Sequence, residues 1–85
     1  GNLHVNLMVH PDDHDEMARA RDARAGLVST VLELGGSLSG EHGIGSEKRA
    51  FVAQEFEPDT LVLMRQLKQL FDPYGILNPG KKLPD

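Results

Sequence analysis

The first ten residues alternate between apolar and polar side chains. Apolar residues occupy every second position on one side of the alternation: Leu3, Val5, Leu7 and Val9. The other side carries mainly groups that bind metals or hydrogen-bond: His4, Asn6, Met8 and His10. A period of two is typical of a β-strand with one buried face. The pattern therefore predicts a strand over residues 3–9.

A helical period replaces the alternation after Pro11–Asp12–Asp13, where proline and two acidic residues suit a helix start. From about Asp13 to Leu34, apolar residues recur every three or four positions: Met17, Ala20, Ala23, Leu27, Val31 and Leu34. This spacing predicts one long amphipathic helix, with its arginines mainly off the apolar stripe. Gly35–Gly36 is expected to end it.

The remainder of the chain predicts shorter elements. The glycine-rich residues 37–45 predict a brief strand that passes into a tight loop, and Ser46 is a candidate cap for a short helix over 46–55. Glu57–Pro58–Asp59 is expected to begin a further helix that ends at Asp72–Pro73. Its predicted buried positions are Leu61, Met64, Leu67 or Lys68, and Phe71. Together these elements predict an α+β fold that contains one N-terminal strand, a long helix, a short strand or loop, and two further helices.

Size and composition narrow the classes of protein. The 85 residues allow one small domain, and a hydrophobic content of 39% is that of a globular chain. A net charge of −4 without a basic run argues against nucleic acid as a partner. Without cysteine there is no disulfide and no thiolate metal site. No apolar stretch approaches the roughly 20 residues that span a bilayer.

The start of the chain leads us to expect a segment of a longer protein. Gly1–Asn2–Leu3 runs straight into the alternating pattern without an initiating methionine. A single strand also needs neighbours, and residues 37–41 supply only one short candidate. The other partners of the strand are therefore expected upstream of Gly1. The alternative is a small protein that has been processed or trimmed.

His4 and Asn6 form the first candidate site. In a strand they share one face and lie roughly 7 Å apart, so that an imidazole and an amide could contact one ligand. The competing interpretation is an exposed strand face that happens to contain a histidine.

Glu41 and His42 form the second candidate, in a loop with glycines at 40, 43 and 45. Glutamate can bind a divalent ion, and histidine is the usual general base near neutral pH. Adjacent residues of an extended segment point to opposite sides, which predicts separate roles for the two. The glycines would let the backbone bend sharply near a bound group. The alternative is a flexible loop with an incidental charged pair.

A glycine spacing and the number of metal donors limit these interpretations. The spacing Gly40-x-x-x-x-Gly45 matches a nucleotide-binding P-loop, but Ser46–Glu47 follows where that motif requires lysine and a hydroxyl residue, which excludes it. His4 and Glu41 supply two metal donors, whereas a catalytic zinc site usually has three protein ligands. His10 and His14 flank a turn and are expected to be surface residues. The chain is thus one ligand short.

Three motifs together resemble the C-terminal end of the FAD-linked oxidases, the group of D-lactate dehydrogenase, glycolate oxidase flavin subunit and D-2-hydroxyglutarate dehydrogenase. They are Gly1–Asn–Leu–His–Val–Asn6, then Ser39–Gly–Glu–His–Gly–Ile–Gly45 with Lys48–Arg49, then Asp72–Pro–Tyr–Gly–Ile–Leu–Asn–Pro–Gly–Lys81. The resemblance covers nearly the whole chain. It implies that residues 1–85 are the C-terminal segment of the substrate, or cap, domain, with 73–85 as a tail returning to a flavin domain outside this chain.

The resemblance also implies roles for single residues. His4 and Glu41 match metal ligands of the metal-dependent members, which often hold zinc. His42 matches the base that removes the substrate's hydroxyl proton, and Asn6 matches a residue that contacts substrate. Asn78 is expected near the flavin. The remaining metal histidine of the family would lie just upstream of Gly1.

The implied function is oxidation of a D-2-hydroxyacid to a 2-oxo acid, with FAD and an optional divalent metal such as zinc. The segment alone is expected to be inactive, because it lacks the flavin domain. The resemblance implies a cytoplasmic location, or one at a membrane as part of a larger complex. Two alternatives stay open: a small metal- or anion-binding module without redox activity, and a piece that self-associates through the apolar stripe from Met17 to Leu34.

Overall fold

The protein is built from helices joined by irregular segments. The computed structural model describes all 85 residues and contains helix α1 (His14–Glu33), a 3-10 turn (Arg49–Phe51) that runs into the short helix α2 (Val52–Glu55), and helix α3 (Pro58–Phe71). There is no β-strand. None of these helices combines the length and apolar character needed to cross a membrane.

The expectation of an α+β fold is therefore wrong, because neither the strand over residues 3–9 nor the brief strand within 37–45 forms. A strand exists only when its backbone groups pair with those of a neighbour. No backbone N–H or C=O of residues 1–9 is bonded to another backbone group. The face predicted to be buried is largely exposed, with Leu3 85% accessible. Alternation marks a segment suited to a sheet, but it does not provide the second strand.

Helix α1 begins and ends within a residue of its predicted bounds. Asp13 caps its N-terminus, since the carboxylate accepts a hydrogen bond from the Glu16 N–H at 3.0 Å. At the other end Gly35 takes a φ of 79°, which an L side chain rarely adopts. This turn lets the N–H groups of Gly35 and Gly36 bond to the carbonyls of Leu32 and Val31.

A small core joins the helices to the glycine-rich loop. Leu38, Val52 and Leu61 are buried together, and six partly buried residues pack around them: Val28, Leu32, Ile44, Phe51, Phe56 and Met64. Helix α1 thus uses Val28 and Leu32, whereas the predicted contact residues Leu27 and Leu34 are 40% and 82% exposed. The radius of gyration is 15.0 Å, against about 12 Å for a compact chain of this length.

Helix α3 begins with Pro58 in its first turn and ends before Asp72, as predicted. Only the first part of its predicted inner face is covered. Leu61 is buried and Met64 half-buried, but Leu67 and Phe71 are 49% and 78% exposed. The second half of α3 therefore adds little to the core.

Asp72 closes the turn that follows α3. It is 5% exposed, and its carboxylate accepts hydrogen bonds from the N–H groups of Ile76 and Leu77, both at 3.0 Å. Lys68 donates to the same carboxylate and to the Leu77 carbonyl. The hydrogen bond from Lys68 is the main cause of a lowered Asp72 pKa; the backbone donors add to it and burial opposes it.

The core contact of α3 can be tested with two leucines of that helix. We expect Leu61→Ala to lower the free energy of unfolding by about 2–3 kcal/mol, because it removes apolar atoms from a packed site. Leu63→Ala is the matched control, since Leu63 is 56% exposed and should change stability by less than about 0.5 kcal/mol. Urea denaturation measures both, and equal losses would contradict the described core.

The turn at Asp72 predicts a dependence of stability on pH. Because its pKa in the folded chain lies below the ordinary 3.8, Asp72 stabilises the fold fully above that pH. The contribution is lost as the pH falls through the lower folded pKa. Asp72→Asn should therefore reduce thermal stability at neutral pH, and the difference from the parent chain should shrink in acid. Asp12→Asn, at an exposed position, should show no such trend.

Candidate functional site

The loop over residues 38–45 is fastened at both ends and exposed at its tip. Leu38 is buried, its N–H donates to a Glu55 carboxylate oxygen at 3.3 Å, and its carbonyl accepts from Lys48 Nζ at 2.9 Å. Ile44 packs against the core at the other end. Glu41 and His42 lie between these anchors, so the core determines where the tip is presented.

Inside the loop, Ser39 and Gly43 set the bend, and Gly40 allows a close contact with the N-terminal segment. The Ser39 hydroxyl oxygen accepts a hydrogen bond from the Gly43 N–H at 2.6 Å, and Gly43 has a φ of 76°. Gly40 lies against the N-terminal segment, where an added Cβ would overlap the Asn2 side-chain amide. Glycine at this position therefore permits the close approach that brings the first residues to the loop.

This approach gathers His4, Glu41 and His42 into one cluster. Glu41 Oε1 lies 3.7 Å from His4 Nδ1 and 3.4 Å from His42 Nε2. The two imidazole rings meet edge to face, with centroids 4.7 Å apart. The prediction that Glu41 and His42 point to opposite sides is wrong here, because the tight bend replaces an extended backbone. All three side chains are about half exposed.

Asn6 lies beside the cluster and fixes the orientation of His4. Its amide oxygen is 3.2 Å from His4 Nε2. An amide oxygen can only accept, so this contact is a hydrogen bond in the tautomer that carries its proton on Nε2. In that tautomer the lone pair of Nδ1 faces the Glu41 carboxylate. Two electron-rich atoms that face one another favour a cation between them. Metal-binding histidines commonly donate their second N–H to such an oxygen.

The donor set fits a divalent metal. One ligand atom from each of His4, Glu41 and His42 lies within 4.8 Å of the others. Around a tetrahedral zinc with bonds of about 2.0–2.1 Å, neighbouring donor atoms lie about 3.3–3.5 Å apart. The two separations from Glu41 Oε1, 3.7 Å to His4 and 3.4 Å to His42, are close to that value. Two imidazoles with one carboxylate are also a common zinc donor set. Sequence reasoning counted only two donors because it directed His42 away from Glu41.

The other candidate residues lie outside the cluster. Asn78, with a φ of 46°, lines a groove of about 480 Å³ between α3 and the tail, together with Lys81, Lys82 and apolar side chains. His10 bonds to Glu16 at 2.9 Å and is exposed, and His14 is also exposed. Both histidines are surface residues, as expected. The structure brings His4, Asn6, Glu41 and His42 together and leaves Asn78 in a separate groove.

Comparison with known proteins identifies the family of the chain. Residues 1–82 match the family model of the FAD linked oxidases, C-terminal domain. Because the match covers nearly the whole chain, the protein belongs to the FAD-linked oxidase family.

Individual relatives agree with this assignment. The chain is 39% identical over 84 residues to the glycolate oxidase subunit GlcD of Escherichia coli K12, covering 99% of this chain and 17% of that protein. It is 32% identical to a mitochondrial D-lactate dehydrogenase [cytochrome] of Arabidopsis thaliana, covering 99% of this chain and 15% of that protein. It is 39% identical to a D-2-hydroxyglutarate dehydrogenase of Stutzerimonas stutzeri A1501, covering 95% and 18%. The chain thus spans about a sixth of the length of these relatives.

Proposed function

We propose that this chain is the C-terminal segment of the substrate domain of a flavin-dependent enzyme that converts a D-2-hydroxyacid to a 2-oxo acid. The proposal is supported chiefly by the way His4, Glu41 and His42 come together from two distant segments of a chain that belongs to the FAD-linked oxidase family. The printed names of the relatives support the substrate class, since glycolate, lactate and 2-hydroxyglutarate are all 2-hydroxyacids. FAD is held mainly by a domain outside these 85 residues.

His4 and Glu41 are the proposed ligands of a divalent metal, which is zinc or another ion that prefers the same nitrogen and oxygen ligands. Bound there, the ion would supply Lewis-acid chemistry, lowering the pKa of a coordinated hydroxyl group. The Asn6 amide supports this role by orienting His4, and it is also the proposed contact to substrate. These assignments rest on the donor geometry and on the family motif.

His42 is the proposed base. Its imidazole lies against the same carboxylate as His4, so a substrate held at the cluster would present its hydroxyl group within reach. His42 takes the hydroxyl proton. FAD would supply the oxidising chemistry when bound, since loss of the α-hydrogen as a hydride to a flavin turns the carbon–oxygen bond into the carbonyl of the 2-oxo acid. One proton and one hydride leave, which accounts for the two-electron oxidation.

The remaining parts of the chain have proposed roles in assembly. Residues 73–85 form the tail that returns to the flavin domain, and Asn78 is the residue proposed to lie near the flavin. The apolar side chains exposed on α3 and the tail would meet that domain or, when it is absent, a second copy of the chain. We place the enzyme in the cytoplasm, or at a membrane as part of a larger complex.

A second candidate function is a metal-binding module without redox activity. It is favoured by one observation, that His42 completes a three-donor set inside this chain. In that function His42 is a ligand, whereas in the enzyme it must stay free to accept a proton. The behaviour of His42 variants therefore separates the two functions.

Zinc titration by calorimetry tests the metal assignment. We expect His4→Ala and Glu41→Gln each to weaken zinc binding by about tenfold or more, because each removes a donor atom. His42→Asn should change the affinity less than about threefold if His42 is the base. His14→Ala, at an exposed position away from the cluster, is the matched control. A loss with His42→Asn as large as with His4→Ala would favour the module instead.

The redox assignment needs a flavin domain. The matching 84 residues of the Stutzerimonas stutzeri D-2-hydroxyglutarate dehydrogenase can be replaced by this chain. We expect the chimera to bind FAD and to lose its oxidised-flavin absorbance when D-2-hydroxyglutarate is added without oxygen. His42→Asn should slow this reduction by about 10²–10⁴-fold, as expected for removal of a general base.

The controls for this experiment are His14→Ala, which should reduce the flavin at the parent rate, and the isolated 85 residues, which should not oxidise the substrate. Equal FAD content in all chimeras shows that the change lies in the reaction. Reduction at the parent rate by the His42→Asn chimera would remove His42 from the chemistry.

A further inference from the structure

The tail is irregular but firmly held. Its Lys82 N–H donates to the Gly45 carbonyl at 2.8 Å. Arg49 donates from Nε to the Leu83 carbonyl at 2.7 Å and pairs through Nη2 with the Asp85 carboxylate. Arg65 on α3 adds a bond to the Pro84 carbonyl at 3.2 Å. Two arginines and one backbone hydrogen bond therefore hold residues 82–85 against the turn that follows the loop over residues 38–45.

The backbone conformation at this junction shows that it is held by its surroundings. Lys82 has a φ of 63°, a region that non-glycine residues occupy rarely. Gly45, its hydrogen-bond partner, has a φ of 56°. Such a conformation at a lysine persists only where the neighbouring structure over-determines it. The contacts of Arg49 to the next residue, Leu83, provide that support.

The same junction ends the loop that carries the cluster. Gly45 is the last residue of the loop over 38–45, and its carbonyl is fixed by Lys82. The preceding Ile44 carbonyl accepts the Lys48 N–H at 3.2 Å. Arg49 follows Lys48 directly in sequence. Its backbone is therefore part of the segment that leaves the loop, whereas its side chain contacts the tail. Arg49 thus connects the two segments that carry Glu41, His42 and Asn78.

We propose that Arg49 is a positioning residue, whose guanidinium group holds the tail on Gly45 and thereby keeps Glu41 and His42 turned toward His4. The proposal deepens the proposed function, on which its metal-binding consequence rests. Arginine suits this role because its planar guanidinium group donates hydrogen bonds to the Leu83 carbonyl and the Asp85 carboxylate at the same time. A lysine at this position has one ammonium group and would hold the tail less well. The side chain is 26% exposed, so it lies largely within the junction.

Amide hydrogen exchange followed by NMR tests the positioning role without any metal. Arg49→Ala should raise the exchange rate of the Lys82 amide, which donates to Gly45, by roughly tenfold. The Gly43 amide, bonded to Ser39 in the loop, should also exchange faster, while amides inside α3 keep their rates. Arg21→Ala removes the same charge from an exposed position of α1 and should leave all these rates unchanged.

Zinc affinity gives the second readout. Arg49→Ala should weaken zinc binding by roughly tenfold at unchanged helical content, as losing an outer support of metal ligands does. Arg49→Lys should restore part of the affinity and part of the Lys82 protection. This variant also decides the matter if Arg49→Ala fails to fold.

Unchanged exchange at Lys82 and Gly43 in both Arg49 variants would overturn the proposal. A uniform acceleration that includes the α3 amides would overturn it as well, because Arg49 would then support only global stability. If the parent chain binds no zinc, the metal-binding module fails as a function, because its three donors all lie in this chain. The exchange rates still decide whether Arg49 positions the loop.

Discussion

The packing of Leu38 against Val52 and Leu61 is the contact on which the rest of the structure depends. It is the point where the glycine-rich loop, α2 and α3 meet, and α1 reaches it through Val28 and Leu32. Because so few residues are buried, each of them has a large share in the stability of the chain. Leu38, which completes the core, is also the first residue of the loop over residues 38–45 and holds that end of the loop in place. The position of Glu41 and His42 at the tip of the loop therefore depends on the stability of this small apolar cluster.

The helices were predictable because their signals are local. Asp13 as a cap, the glycines after Leu34, and Pro58 in a first turn act on the few residues beside them, so sequence alone set the bounds of α1 and α3 closely. The strands were not predictable in this way, because pairing is a property of two segments. Residues 3–9 have the right alternation and no partner within these 85 residues.

The same distinction holds at the site. The residue types at positions 4, 41 and 42 were recognisable as metal donors or bases from their chemistry. Their arrangement was not, because it depends on the bend at Gly43 and on the contact between Asn2 and Gly40. The tail contact through Arg49 gave no signal in the pattern of apolar residues, since it joins side chain to backbone between segments far apart in sequence. The only earlier sign of Arg49 was its place in Lys48–Arg49, which follows the Ser39–Gly45 motif in the family resemblance.

The meeting of the first residues with the loop at Gly40 has a thermodynamic consequence. His4 and Glu41 lie more than thirty residues apart in sequence, and all of α1 lies between them. An ion bound by both would act as a covalent-like cross-link, shrinking the conformational freedom of the unfolded chain as a disulfide does across a loop of that length. In a chain without cysteine, the affinity for such an ion and the stability of the fold would be two expressions of one free energy.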